Sequence, residues 1–474
     1  MINRIFDSGE LQQNKVTTLN CAILQLFASF KSYQLIVLFI GLFFLLYIPI
    51  LSLIPLLIYL QIEESDLALQ QNILDNKFQQ LLQKRTLKFN IVAILFTCIL
   101  ILSIYNSTIF VYGDTQRYFQ WFQDIFNLNL IKSLEYLRQI GQEPTTLITI
   151  KYIMLFLGLD SNSFLLFSAF LINSSFIILT YKFVPKYYPL VILINVMSYG
   201  YYNQLFYFRQ TFSFVFIIIF LFTENFLLFS SLFVVTFITH STSLLLTPLL
   251  FFKLSSGNLQ FIQKSLASNK NKYLLGVILT GSTITLILFG REVLFFLLSI
   301  LSAFGNNTLQ GRANLYLSGN ENFQSRETLL IINLIIFLIY IFNINFNKTS
   351  NNFKNNPALY NLLIYFITLL ISFLIVFFVG FNFRLVYFLT CLTGFFYLIP
   401  IMSNQIQTKN IQYYLFLTQL CLTSAVFIRN LYREQATNFN AFLQERIGQV
   451  TFWEARPLNA DLFDYIKHCM DLLL

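Results

Sequence analysis

The chain has 474 residues, 57% of them hydrophobic and only 11% charged, with a formal net charge of +9. A soluble domain carries about 25% charged residues, so this composition excludes an ordinary soluble enzyme. The positive excess is spread thinly; it suits anionic lipid headgroups, and no basic run is dense enough to hold nucleic acid.

Residues 1–32 form a polar N-terminal segment. The apolar run that follows is too long for a signal peptide and reads as an uncleaved anchor. Runs able to approach or span a hydrocarbon core of about 30 Å recur along the chain. They fall at 33–60, 90–110, 163–182, 187–203, 209–223, 226–251, 273–290, 328–342, 359–380, 383–402 and 411–428. Two shorter amphipathic pieces, 146–158 and 293–304, would lie in the interface or re-enter. Pro49, Pro55 and Pro248 sit inside apolar runs, where kinks are tolerated if neighbours satisfy the freed carbonyls.

The fold class expected is all-α: a polytopic integral membrane protein of about 11–13 transmembrane or re-entrant helices. A GT-C-like arrangement is one form it could take. The membrane domain would run over 33–428, with external loops 111–145 and 305–327, followed by a polar C-terminal tail, 429–474.

Lysine and arginine bias sets the orientation. Lys77, Lys84, Arg85 and Lys88 put 61–89 inside, and Lys182 with Lys186 does the same for 183–187. Further lysines place 253–272, 343–357 and 403–410 on that side. Segments 111–145, 203–209, 305–327 and the turn at 380–384 then fall outside. That parity needs 146–158 to re-enter and 226–251 to break near His240. The five cysteines show no CxxC and no metal-type spacing, and no metal or cofactor is expected.

The charged and titratable residues against this apolar background are the candidates for chemistry. Asp114 and Arg117, in Tyr112-Gly113-Asp114-Thr115-Gln116-Arg117-Tyr118, share a face if a helix starts here. A helix cap plus a surface ion pair explains them equally well. Glu143-Pro144 precedes the short apolar piece, where it could be only a turn. Arg209-Gln210 opens an apolar run. That arginine either snorkels to the headgroups or offers a bidentate fork to a phosphate. His240 lies in a polar island, Thr239-His240-Ser241-Thr242-Ser243; it is either a hydrogen-bonded core histidine or a proton-transfer group. Arg312, Arg326 and Arg384 complete the cationic set, Arg384 at the tip of a tight hairpin, where arginines commonly anchor. Arginines stabilising a diphosphate leaving group, with an acid or imidazole activating a hydroxyl, would make a metal-free glycosyl-transfer site.

In order and approximate spacing, several of these pieces resemble the EpsG family of polysaccharide-synthesis membrane proteins, relatives of Wzy-type polymerases. The matching residues are Gly113-Asp114 with Arg117 and Tyr118, then Glu143-Pro144, Arg209-Gln210 and His240-Ser241, between about residues 90 and 250. The resemblance implies a protein that joins or extends glycan units carried on a polyprenyl diphosphate, at the outer face of the cytoplasmic (inner) membrane. Catalytic roles would fall to Asp114, Glu143 or His240. Substrate binding would fall to Arg117, Tyr118, Arg209 and Gln210, and by extension to Arg312, Arg326 and Arg384. The expected partners are the polyprenyl diphosphate-linked glycan, membrane lipids and other polysaccharide-assembly proteins. Three rival readings use the same residues: a flippase for the lipid-linked glycan, a membrane acyltransferase with His240 as base, and a non-catalytic assembly partner.

Overall fold

The computed structural model describes residues 32–70, 77–108, 114–140, 144–197, 208–223, 226–239, 393–396, 421, 425 and 461–473. Among these the structure is all-helical, with no strand. Two helices are long and apolar enough to cross a membrane, Leu87–Ser107 and Ser161–Phe183.

The apolar run 33–60 is not one span. It forms α1 (Ser32–Tyr47) and α2 (Pro49–Gln70), joined at the single non-helical residue Ile48. The chain reverses there. Gly41, seven residues before the turn, lies against Leu56, eight residues after it. A Cβ on Gly41 would stand 2.7 Å from Leu56 Cδ2 and 3.5 Å from its backbone nitrogen. A small residue at such a crossing lets two backbones approach closely, the usual device where lipid offers no hydrophobic drive between helices. Pro49 starts α2, where its missing N–H is not needed. The expected kink is therefore a hairpin.

Helix α3 (Lys77–Thr108) is 32 residues long, about 48 Å at 1.5 Å per residue. It contains the first candidate span. The loop expected at 111–145 is itself largely helical, with α4 (Asp114–Phe126) and α5 (Leu130–Gln139). Asn129 caps α5 by accepting a hydrogen bond from the Lys132 amide at 2.9 Å. Helix α6 (Thr145–Phe156) follows Pro144, whose φ of −79° is already helical. It closes on Gly158, at φ +70°, with Leu159 N–H donating to Met154 O at 3.0 Å and Gly158 N–H to Leu155 O at 3.2 Å. That pairing satisfies the last carbonyls and demands the left-handed conformation that glycine adopts without cost. At 12 residues, α6 is too short to span.

A short 3-10 turn, Ser161–Ser163, is capped by Asp160 and leads into α7 (Phe164–Phe183). Then come α8 (Tyr188–Met197), α9 (Phe208–Phe222) and α10 (Phe226–Thr239). Helices α3 and α7 pack along their length, and Asn173 bridges them by donating to Ser103 Oγ at 3.5 Å. Helix α8 lies between α2 and α7 and is buried along nearly all its length. The four-residue helix α11 (Thr393–Phe396) docks on it, with the Gly394 amide donating to Asn195 Oδ1 at 2.7 Å across 199 positions of sequence. A Cβ at Gly394 would run into the Val191 carbonyl. Within the polar tail, α12 (Leu462–Leu473) folds back against α1, α3 and the Ser161–Ser163 turn.

These contacts define two ends. At one, Gln61 donates to the Lys186 carbonyl at 3.4 Å, and Asn90 donates to Glu63 at 3.0 Å and to the Tyr59 hydroxyl at 3.3 Å. The start of α7 lies at the other end, beside α4 and α9. Helix α7 has 20 residues, so the ends are separated by about 30 Å, the thickness of a bilayer core.

Candidate functional site

The end marked by Phe164 gathers the groups that matter. Arg209 opens α9 and is only 8% exposed. Its Nε donates to the Tyr118 hydroxyl at 3.1 Å, and its guanidinium carbon lies 5.6 Å from the centre of the Tyr118 ring. The two residues are 91 positions apart. Tyr118 sits in the second turn of α4, on the buried face that also carries Thr115, Phe119 and Phe122. Around the pair stands an aromatic wall. Tyr118 packs on Phe208 with ring centres 5.5 Å apart, Phe208 meets Phe164 edge-on at 5.5 Å, and Phe164 stacks on Phe122 at 4.1 Å.

Burial of Arg209 speaks against a snorkelling role. A snorkelling side chain would reach the surface, whereas this one is packed away from it. A cation over a tyrosine face gains about 0.5–2 kcal/mol, more as water is excluded. The Tyr118 hydroxyl, hydrogen-bonded to Nε, fixes the plane of the fork.

Polar side chains buried at this end include Asn106 near the end of α3, Thr115 on α4, Thr146 on α6 and Ser168 on α7. Among the described residues, the Asn106 amide and the three hydroxyls have no hydrogen-bond partner. Each unpaired group of this kind costs about 1–3 kcal/mol.

Lys151 was not among the sequence candidates. It is 1% exposed, on α6. Its ammonium donates to the Ile125 carbonyl at 2.7 Å, to Ser133 Oγ at 3.0 Å and to the Leu128 carbonyl. All three donors are thereby used, on the C-terminal end of α4 and the turn into α5. A cation there also meets the negative end of the α4 dipole. Burial pulls the amine below the usual lysine value, while the oxygen acceptors favour its charged form. The group holds structure; it has no donor left for a ligand. Its sequence signal was a lone charge in Thr145-Thr146-Leu147-Ile148-Thr149-Ile150-Lys151-Tyr152-Ile153-Met154.

Of the other sequence candidates, Arg117 is exposed on α4. Asp114 is the first residue of that helix, four before Tyr118, and Gln210 follows Arg209 in the first turn of α9. Glu143, His240, Arg312, Arg326 and Arg384 lie outside the described residues, as do the spans expected beyond 240 except for α11 and two isolated helical positions. No protein-family model, curated protein or solved structure matches the chain.

Proposed function

We propose that this chain is a multi-pass membrane glycosyltransferase of the polysaccharide-polymerase kind, with Arg209 and Tyr118 taking the diphosphate of a polyprenyl diphosphate-linked glycan. The observation that carries the reading is the buried guanidinium of Arg209, oriented by the Tyr118 hydroxyl at 3.1 Å. Two further features support it. The pair stands about 30 Å along α7 from the Lys182 and Lys186 end, which the lysine bias assigns to the cytoplasm. The buried polar groups Asn106, Thr115, Thr146 and Ser168 suit the hydroxyls of a sugar better than an acyl chain.

In the proposed reaction a hydroxyl of the acceptor glycan attacks the anomeric carbon of the donor. The bond from that carbon to the diphosphate oxygen breaks, and polyprenyl diphosphate leaves with the electron pair. Arg209 neutralises the charge growing on the leaving group, a contact stronger in the transition state than in the bound donor. The acceptor proton passes to a base, with Asp114, Glu143 and His240 as the candidates. No metal is required for this scheme.

The test is purified full-length protein in vesicles with a polyprenyl diphosphate oligosaccharide, scored for longer glycan and for freed polyprenyl diphosphate. Both products should appear together, and Arg209→Ala should cut the rate about 100- to 1,000-fold, the usual loss for one such donor. Transfer of the lipid across the vesicle without bond formation would replace this reading with that of a flippase.

A further inference from the structure

We infer that α12 is an in-plane interfacial helix whose outward apolar stripe is embedded in the acyl chains of the bilayer, beside the start of α7. At 3.6 residues per turn its side chains sort into three sectors. Tyr465, only 1% exposed, and the half-buried Cys469 face the bundle. Phe463, Ile466, Met470 and Leu473 form an adjacent stripe within an arc of about 80°, and all four are exposed. Phe463 is the extreme, at 74%. Lys467 and Asp471, also exposed, occupy the remaining sector with Asp464.

A helix packed on the side of a soluble protein needs only two such sectors, buried and polar. A third, apolar and exposed, fits a helix with protein at its flank, hydrocarbon beneath it and water above. Its level in the bundle agrees. It touches the Ser161–Ser163 turn, where the second candidate span begins, which is the boundary of the hydrocarbon. It also packs on α1, whose outward face carries Phe39, Phe43, Leu46 and Tyr47, so the stripe continues an apolar surface already present. Acyl chains are thus the occupant that serves both helices. The stripe carries no charge, so anionic headgroups are not needed to hold it. This inference rests on the membrane reading alone and not on the chemistry at Arg209; either can fail without the other.

The test uses the full chain in phosphatidylcholine vesicles, its native cysteines replaced, with an environment-sensitive label placed in turn at 463, 466, 470, 467 and 471. Labels at 463, 466 and 470 should emit at shorter wavelength and be quenched by nitroxide-bearing acyl chains. Labels at 467 and 471 should be quenched by aqueous iodide instead. Iodide quenching at all five positions would overturn the inference in favour of a solvated tail. Shielding of 463, 466 and 470 from both quenchers would overturn it in favour of a protein partner or a second copy. Where a label disturbs the helix, hydroxyl-radical footprinting of the unaltered protein supplies a further refutation: Met470 oxidised in vesicles overturns the inference.

Discussion

Replacing Lys151 by methionine tests whether one buried ammonium holds the corner on which Tyr118 is mounted. Methionine keeps most of the stem, so the apolar packing inside α6 is little changed. What goes is the charge and its three hydrogen bonds, to the Ile125 and Leu128 carbonyls and to Ser133. The Ile125 carbonyl keeps the Leu128 amide at 3.0 Å, and Ser133 can still donate to it at 3.4 Å. The Leu128 carbonyl loses the charged donor, and the α4 dipole loses its counter-charge. One weakened buried acceptor and a lost dipole contact give about 1–3 kcal/mol. Removing a desolvated cation returns part of that, so the lower half of the range is expected. Hydrogen exchange by mass spectrometry over 125–133 is the assay. Amides there should exchange about 5- to 30-fold faster, since about 1.4 kcal/mol corresponds to tenfold. The same charge removed at exposed Lys182 should leave 125–133 unchanged. Equal exchange in Lys151→Met and the unsubstituted chain would refute the argument, because the acceptors would then need no cation.

Three other outcomes follow from the same geometry. Tyr136 donates to Asp124 at 2.5 Å between α4 and α5, and burial, then this carboxylate, pushes its hydroxyl up to about 12 from 10.0. The native state therefore keeps the proton that the unfolded chain loses, so stability should fall as pH rises from about 10 to about 12, and Tyr136→Phe should flatten thermal unfolding over that window. Gly394→Ala drives a Cβ into the Val191 carbonyl, and overpacking against backbone costs about 1–3 kcal/mol. Gly41→Ala meets only the movable end of Leu56, so its melting temperature should fall less than that of Gly394→Ala. Gly158→Ala must hold φ near +70° and should cost about 1 kcal/mol by the same assay.

Composition made the helical class and the apolar spans of α3 and α7 legible, because a run of some twenty uncharged apolar residues has few other fates. It did not reveal the reversal at Ile48. In hydrocarbon a helix is apolar on every side, so the run 33–60 carries no periodicity to mark where it folds back. Gly41 and Pro49 were the only local signs. Motif order put Tyr118 and Arg209 among the candidate binding residues without bringing them together. A hydroxyl supporting a guanidinium across 91 positions has no local signature. Lys151 carries no motif signal, because a single lysine in an apolar run matches no ligand-binding pattern. A lysine alone in an apolar run is a better sign of an internal clamp. In the tail, charge count masked the three-, four- and three-residue spacing of Phe463, Ile466, Met470 and Leu473, which was readable as a helical stripe.

Binding of polyprenyl diphosphate to the purified protein in vesicles, compared with Arg209→Lys, tests the central claim most directly. A fork held by Tyr118 makes paired contacts that a lysine ammonium cannot reproduce. The dissociation constant should rise about tenfold or more in Arg209→Lys, the loss of one charge-assisted hydrogen bond of about 1.5–3 kcal/mol. Tyr118→Phe should show a smaller rise in the same direction. Equal affinity in all three proteins would contradict the account and remove Arg209 from the diphosphate site.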